Sequence, residues 1–104
     1  MADKTELYID GVTHYGAGRL DEAITCYKEA ITLDPSFADA YVGLAMAYEK
    51  KRMLDEAIEA AKRGVTLAPD DPLNHTTLSR LYQQKGMIPE AEEEQAKARQ
   101  LSGY

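Results

Sequence analysis

Residues 21–35, DEAITCYKEAITLDP, return thinned but in register at residues 55–69 as DEAIEAAKRGVTLAP. Asp, Glu, Ala, Ile, Lys, Thr, Leu and Pro recur at a spacing of 34 residues. A fixed period of that length marks a repeated supersecondary unit that buries its apolar face against its neighbours. Counting from Lys4, Ala38 and Pro72 lays out three units, 4–37, 38–71 and 72–104, after a lead-in of residues 1–3.

Each unit divides into two amphipathic helices around a short break. The breaks fall at GAGRL, KKRML and QKGMI, where Gly16, Gly18 and Gly86 release a helix end at little steric cost. Asp71 before Pro72 reads as an N-cap followed by proline at the first helical position, and Ser36 with Asp39 reads as a capping-box-like pair. Pro35 and Pro69 stop the second helix of their units. The spacing predicts six antiparallel helices near 4–17, 20–33, 38–51, 54–67, 72–85 and 88–101, with no strand.

The composition fits one domain. At 44% hydrophobic and 29% charged residues, the 104-residue chain has the balance of a folded globular protein and not of a disordered one. No apolar run reaches the ~18 residues of a membrane span, and MADKTELYID lacks a secretory pattern, so a cytoplasmic location is expected. The formal charge of −6 disfavours nucleic acid and anionic membrane as partners. Cys26 is the single cysteine and has no internal partner for a disulfide.

The large apolar, small and proline positions at this period are Leu7/Tyr41, Gly11/Ala45, Tyr48/Tyr82, Ala23/Ala57/Ala91, Tyr27, Ala30/Gly64/Ala98 and Pro35/Pro69. On these residues the chain resembles the tetratricopeptide repeat (TPR) family over essentially its whole length. His14, His75 and Gln95 stand where an aromatic is usual, and the third unit lacks a closing proline. The resemblance implies an all-α fold, three helix–turn–helix TPR units stacked as a right-handed α-solenoid.

A terminal repeat needs one polar face. Forward-facing positions of the second helices read Ile24, Tyr27, Ile31, then Ile58, Ala61, Val65, then Glu92, Gln95, Arg99. Backward-facing positions of the first helices are Glu6, Asp10 and Thr13 in unit one, against Ala40, Leu44, Ala47 and Asn74, Leu78, Leu81 later. The pattern is that expected of a complete three-repeat array.

Chemistry-bearing motifs are absent: there is no CxxC, HExxH, GxxxxGK[ST] or GxSxG. No cofactor, metal or enzymatic activity is expected. His14 and His75 fall on core positions at opposite ends of the array, and Cys26 reads as a packing residue. EAEEEQAKAR reads as a solvated helix face whose charges suit the macrodipole, and Lys50, Lys51, Arg52 and Lys85 form a candidate basic rim.

The resemblance also implies that the first helices line a concave groove for segments of other proteins. Carried over by position, the groove takes Tyr8, Val12 and Tyr15 from unit one. Unit two supplies Val42, Met46 and Glu49, and unit three Leu73, Thr76, Arg80 and Gln83. The stripes 8, 12, 15 and 42, 46, 49 have helical spacing and are distinct from the core stripes, which leaves them free for a ligand. Chaperone co-adaptors of the family hold an acidic peptide through Lys, Asn, Asn, Lys and Arg, and those places here are Tyr8, Val12, Gly43, Leu73 and Thr77. A carboxylate clamp is therefore not expected. The leading expectation is a protein- or peptide-binding module with an apolar groove, with Glu49 and Arg80 setting register. The alternative is a self-associating assembly subunit, a homodimer through the same groove.

Overall fold

The computed structural model describes residues 2–103. Among them the chain forms six helices and no strand: α1 (Lys4–Gly16), α2 (Leu20–Leu33), α3 (Ala38–Lys50), α4 (Leu54–Leu67), α5 (Pro72–Gln84) and α6 (Ile88–Ser102). Each helix packs on the next, and α1 also touches α3 as α3 touches α5. Among the described residues α2, α4 and α6 make no such mutual contact. The stack therefore closes on the side of α1, α3 and α5, and measures 42 × 26 × 19 Å.

The three breaks are copies of one turn. The amides of Arg19, Met53 and Met87 donate to the carbonyls of His14, Tyr48 and Tyr82 at 2.8–2.9 Å, and those of Gly18, Arg52 and Gly86 donate to Tyr15, Glu49 and Gln83. That pair of bonds is the Schellman closure, which needs a left-handed residue just past the helix. Gly18 and Gly86 supply it at φ 79°, whereas Arg52 adopts φ 64° with a full side chain. Gly103, at φ 83°, closes α6 where the other units use proline.

Asp71 caps α5 as expected, accepting from the Leu73 amide, and Pro72 occupies the first turn. Asp3 caps α1 through the Glu6 amide, a cap not anticipated from the sequence. The Ser36 expectation is corrected: α3 begins after Phe37 without a side-chain cap, and Ser36 instead donates from its amide and hydroxyl to Asp34. Asp34 closes its own local turn, and this competes with capping by Ser36. Lys4 and Ser36 together hold the Asp34 carboxyl down at about 2.

The core is a continuous seam of small residues and a few large ones. Ala23, Ala30, Ala40, Ala45, Ala47, Ala57 and Leu81 are completely buried. The largest insert in the first joint is Tyr27 of α2. A Cβ on Gly11 would lie 2.7 Å from its ring, and one on Gly43 2.6 Å from it. The ring thus wedges between α1 and α3 at the two places where neither helix has a side chain. One period on, the corresponding places hold Ala61 and Thr77, both buried.

One charged residue departs from the solvated-face expectation. Glu94, inside the acidic run of α6, is buried. Its Oε1 lies 2.8 Å from His75 Nδ1, and Lys97 donates to its Oε2. His75 Nε2 faces the Pro69 carbonyl oxygen at 2.7 Å. Both neighbours of the ring are acceptors, so each ring nitrogen has an oxygen within hydrogen-bond reach. A histidine at an aromatic position is thus matched by a carboxylate from α6. His14, by contrast, is half-buried and accepts at Nδ1 from Arg19 Nε.

Ion pairs also repeat with the period. Asp21 pairs with Lys51, and Asp55 with Lys85, each linking the start of a second helix to the end of the next first helix. Lys51 and Lys85 are therefore engaged within the fold, which removes two members of the expected basic rim.

Candidate functional site

Helical spacing brings the apolar members of the expected groove together. Tyr8, Val12 and Tyr15 of α1, Val42 and Met46 of α3, and Leu73 of α5 line one cleft of about 350 Å³. Val12 and Leu73 are 46% and 60% exposed, so the outer walls offer apolar surface to solvent. Tyr27 lines the floor, with Gly43 beside it. Burial first, and the neighbouring Tyr8 next, push the Tyr27 phenol up to about 12, so it presents an uncharged hydroxyl. Tyr8 leans on both Tyr27 and Phe37, at ring-centroid distances of 5.9 and 5.3 Å. Its phenol is likewise raised, by burial and by Asp39.

Val42 corrects the expectation that the α3 stripe is free of intramolecular use. It is buried, and its Cγ2 lies 3.1 Å from where a Cβ on Gly64 would stand. The glycine of α4 lets α3 sink until Val42 becomes part of the interhelical core. Met46 remains half-buried and available.

A second, more polar cleft continues from the first. Tyr15 and Met46 line both, and Glu49, Lys50, Arg52, Arg80 and Gln84 complete the second. Arg80 Nε and Nη2 donate to the two oxygens of Glu49, each at 2.9 Å, and Gln84 donates to the same carboxylate. The Arg80 bonds, ahead of burial, which opposes, hold the Glu49 carboxyl below its ordinary value, and Glu49 in turn raises the Arg80 guanidinium. Two residues expected to read a ligand therefore satisfy each other first. Lys50 lies over the Tyr15 ring, 5.9 Å from its centroid, and Arg52 reaches Gln84 at 3.5 Å.

Two expected residues lie elsewhere. Gln83 joins Glu92, Gln95 and Arg99 in a shallow polar depression on the open face of the last helix pair. Its neighbour Gln84 takes the groove position, one residue and about 100° further round the helix. Thr76 is exposed, lines neither cleft and donates its hydroxyl to the Pro72 carbonyl. Asp39, Asp71 and Asn74 were missed. Asp39 extends the α3 stripe backwards by three residues from Val42, a signal present in the spacing. Asn74 is buried and donates to the carbonyls of Gly64 and Ala68 at the end of α4, so it acts as a strut behind the groove.

Another apolar cleft lies between α3 and α4, against Tyr41, Leu44 and Tyr48. The chain's own cations already cover its aromatic faces: Arg63 lies 6.0 Å from the Tyr41 centroid and Lys28 5.8 Å from that of Tyr48. The Cys26 thiol is raised by burial and then by Asp10 and Glu29, which suits packing better than nucleophilic chemistry.

Comparison with known proteins places this geometry. Residues 11–51 match the family described as TPR repeat, and residues 38–71 match that described as Tetratricopeptide repeat. A crystal structure of MamA is 27% identical over 97% of this chain, with a TM-score of 0.93. The match spans 59% of that chain, so the present chain corresponds to about three fifths of it. The first TPR of Spaghetti (RPAP3), bound to an HSP90 peptide SRMEEVD, is 20% identical over 95% of this chain and 79% of its own, at TM-score 0.92. The Yersinia enterocolitica type III secretion translocator chaperone SycD is 22% identical over 94% of this chain and 74% of its own, at TM-score 0.89. At these identities the last two likenesses establish the fold. With six helices paired in register, a 34-residue period and both repeat matches, the chain belongs to the tetratricopeptide repeat family.

Proposed function

We propose that this chain is a non-catalytic interaction module that docks a segment of another protein along the cleft shared by α1, α3 and α5. The observation that carries this reading is the exposure of Val12 and Leu73 on either side of a floor made by Tyr27, Val42 and Met46. Burying an aliphatic side chain is worth about 1.5–3 kcal/mol, so a micromolar complex, about 8 kcal/mol net of association costs, takes several such contacts along the cleft. Tyrosine brings a polar tip to an apolar body and methionine adapts its shape, which suits a partner of irregular surface. Carboxylate capture of the chaperone-adaptor kind has little support: Tyr27 fills the space a side chain at Gly43 needs, and Thr77 is buried. The lone Cys26, with no partner for an internal disulfide, suits a reducing cytoplasmic setting.

The test is selection of a random twelve-residue peptide library on the native chain, counter-selected on a Val12→Asp/Met46→Asp variant whose helicity has been checked. Peptides enriched on the native chain should bind the variant at least tenfold more weakly. Equal enrichment on both proteins moves docking away from this cleft. Sedimentation at several concentrations separates the second reading, in which another copy fills the cleft: self-association abolished by the same two substitutions would assign the groove to a homodimer.

A further inference from the structure

The groove has two chemically different ends. Its apolar lobe finishes at Asp39 and Asp71, at the starts of α3 and α5, and its polar lobe finishes at Lys50 and Arg52, at and just after the end of α3. All four side chains are exposed, and none has an ion-pair partner among the described residues. Between the ends, Glu49 and Arg80 neutralise each other, so they add little net charge to the middle. Asp71 uses one oxygen to cap α5, and among the described residues no such bond engages Asp39. Lys50 is held over Tyr15, on the wall common to both lobes.

Arg52 supplies an independent indication. It occupies the left-handed turn position that Gly18 and Gly86 fill in the other two breaks. A side chain there costs about 1–2 kcal/mol, and such strain is retained where the residue serves a purpose. The Schellman turn itself forms with glycine in the sister breaks, so the turn does not require Arg52. What the arginine adds is a guanidinium at the mouth of the polar lobe.

From this layout we infer that the occupant is a protein segment with an apolar centre, a basic residue at one end and an acidic residue at the other, laid lengthwise along the first helices. The basic residue meets Asp39 and Asp71, and the acidic residue meets Lys50 and Arg52. The inference rests on the groove reading above and adds the chemistry and direction of the ligand. Asp39 and Lys50 are eleven residues apart on one helix, about 16 Å at 1.5 Å per residue. An extended segment covers that distance in about five residues. Exposed ion pairs contribute modestly and are screened by salt, so they select among apolar segments more than they drive binding.

The experiment reads charge in the peptides selected above, then in four synthetic peptides sharing one selected apolar centre and carrying Arg/Glu, Gln/Gln, Arg/Arg or Glu/Glu at the two ends. At low salt the native chain should bind Arg/Glu about fivefold more tightly than Gln/Gln, with the advantage lost in high salt. Asp39→Lys should transfer the preference to Glu/Glu, and Lys50→Glu to Arg/Arg. Selected peptides without charge bias, or equal binding of all four, overturn the charge assignment and leave apolar docking standing. Failure to enrich any peptide over the Val12→Asp/Met46→Asp background overturns both.

Discussion

Arg80 grips Glu49 with two parallel 2.9 Å hydrogen bonds, joining the third and fifth helices across the mouth of the groove. Among the salt bridges of the described residues this is the bidentate one, and such geometry is the favourable case for a partly exposed pair. Glu49→Gln should lower stability by about 0.5–1.5 kcal/mol in urea denaturation at pH 7. The Glu49 carboxyl is held below its ordinary value in the folded state. Its contribution is therefore complete above the unfolded carboxylate range and is lost as pH falls through the lower folded value. The gap between native and variant should close as pH falls below the ordinary carboxylate range; a constant gap would mean the charge is not what stabilises.

Tyr27 makes a different test possible. Gly43→Ala and Gly11→Ala each drive a methyl into its ring and should destabilise by about 1–3 kcal/mol. Gly16→Ala meets nothing within 4 Å and should stabilise by about 0.5–1 kcal/mol. Thermal unfolding of the three variants checks both signs.

Breaking the buried pair at the other end tests a hydrogen bond. Glu94→Ala leaves His75 with an unanswered nitrogen in the core and should destabilise by about 1–3 kcal/mol. Glu92→Ala, two residues away and exposed, should stay within about 0.5 kcal/mol. Equal losses would return Glu94 to the solvated face that the charge run suggests.

Arg52→Gly should raise stability by about 0.5–1 kcal/mol, because it relieves a left-handed side chain while adding freedom to the unfolded chain. The same change should weaken selection of acidic peptide ends. A variant that gains stability and keeps charge selection would leave Arg52 without a binding role.

The open face of the last helix pair is polar through Gln83, Glu92, Gln95 and Arg99. Exchanging Glu92 for Ile and Arg99 for Val should create an unpartnered apolar surface and promote association, visible in light scattering. Unchanged solubility would remove the solvating role of these charges.

Much of this architecture was legible because it is local. The period, the glycine breaks and the apolar stripes predict helices that begin and end within one residue of those observed, since hydrogen bonding and turn sterics act over a few residues. The groove's apolar walls were legible for the same reason: 8, 12, 15 and 42, 46 share a face by spacing alone. What spacing does not carry is depth. Val42 sinks because Gly64, on another helix, has no side chain to stop it, and Glu94 is buried because His75 waits opposite. Glu49 and Arg80 looked available because their partnership spans 31 residues. Gln83 was placed by position where Gln84 belongs, because at the end of a first helix one residue decides between the groove and the open face.

The wedge of Tyr27 between two glycines bears on how such a chain can change. In the first joint a large residue faces small ones; one period on, the same addresses hold Ala61 and Thr77. A tandem duplication of residues 38–71 would therefore set Ala61 opposite a second Gly43 and leave a void the size of an aromatic ring. The Asp–Lys link would survive that duplication, because both halves recur with the period. The repeats are alike enough to have been copied, yet their order is written into their volumes, and the units cannot be shuffled like beads.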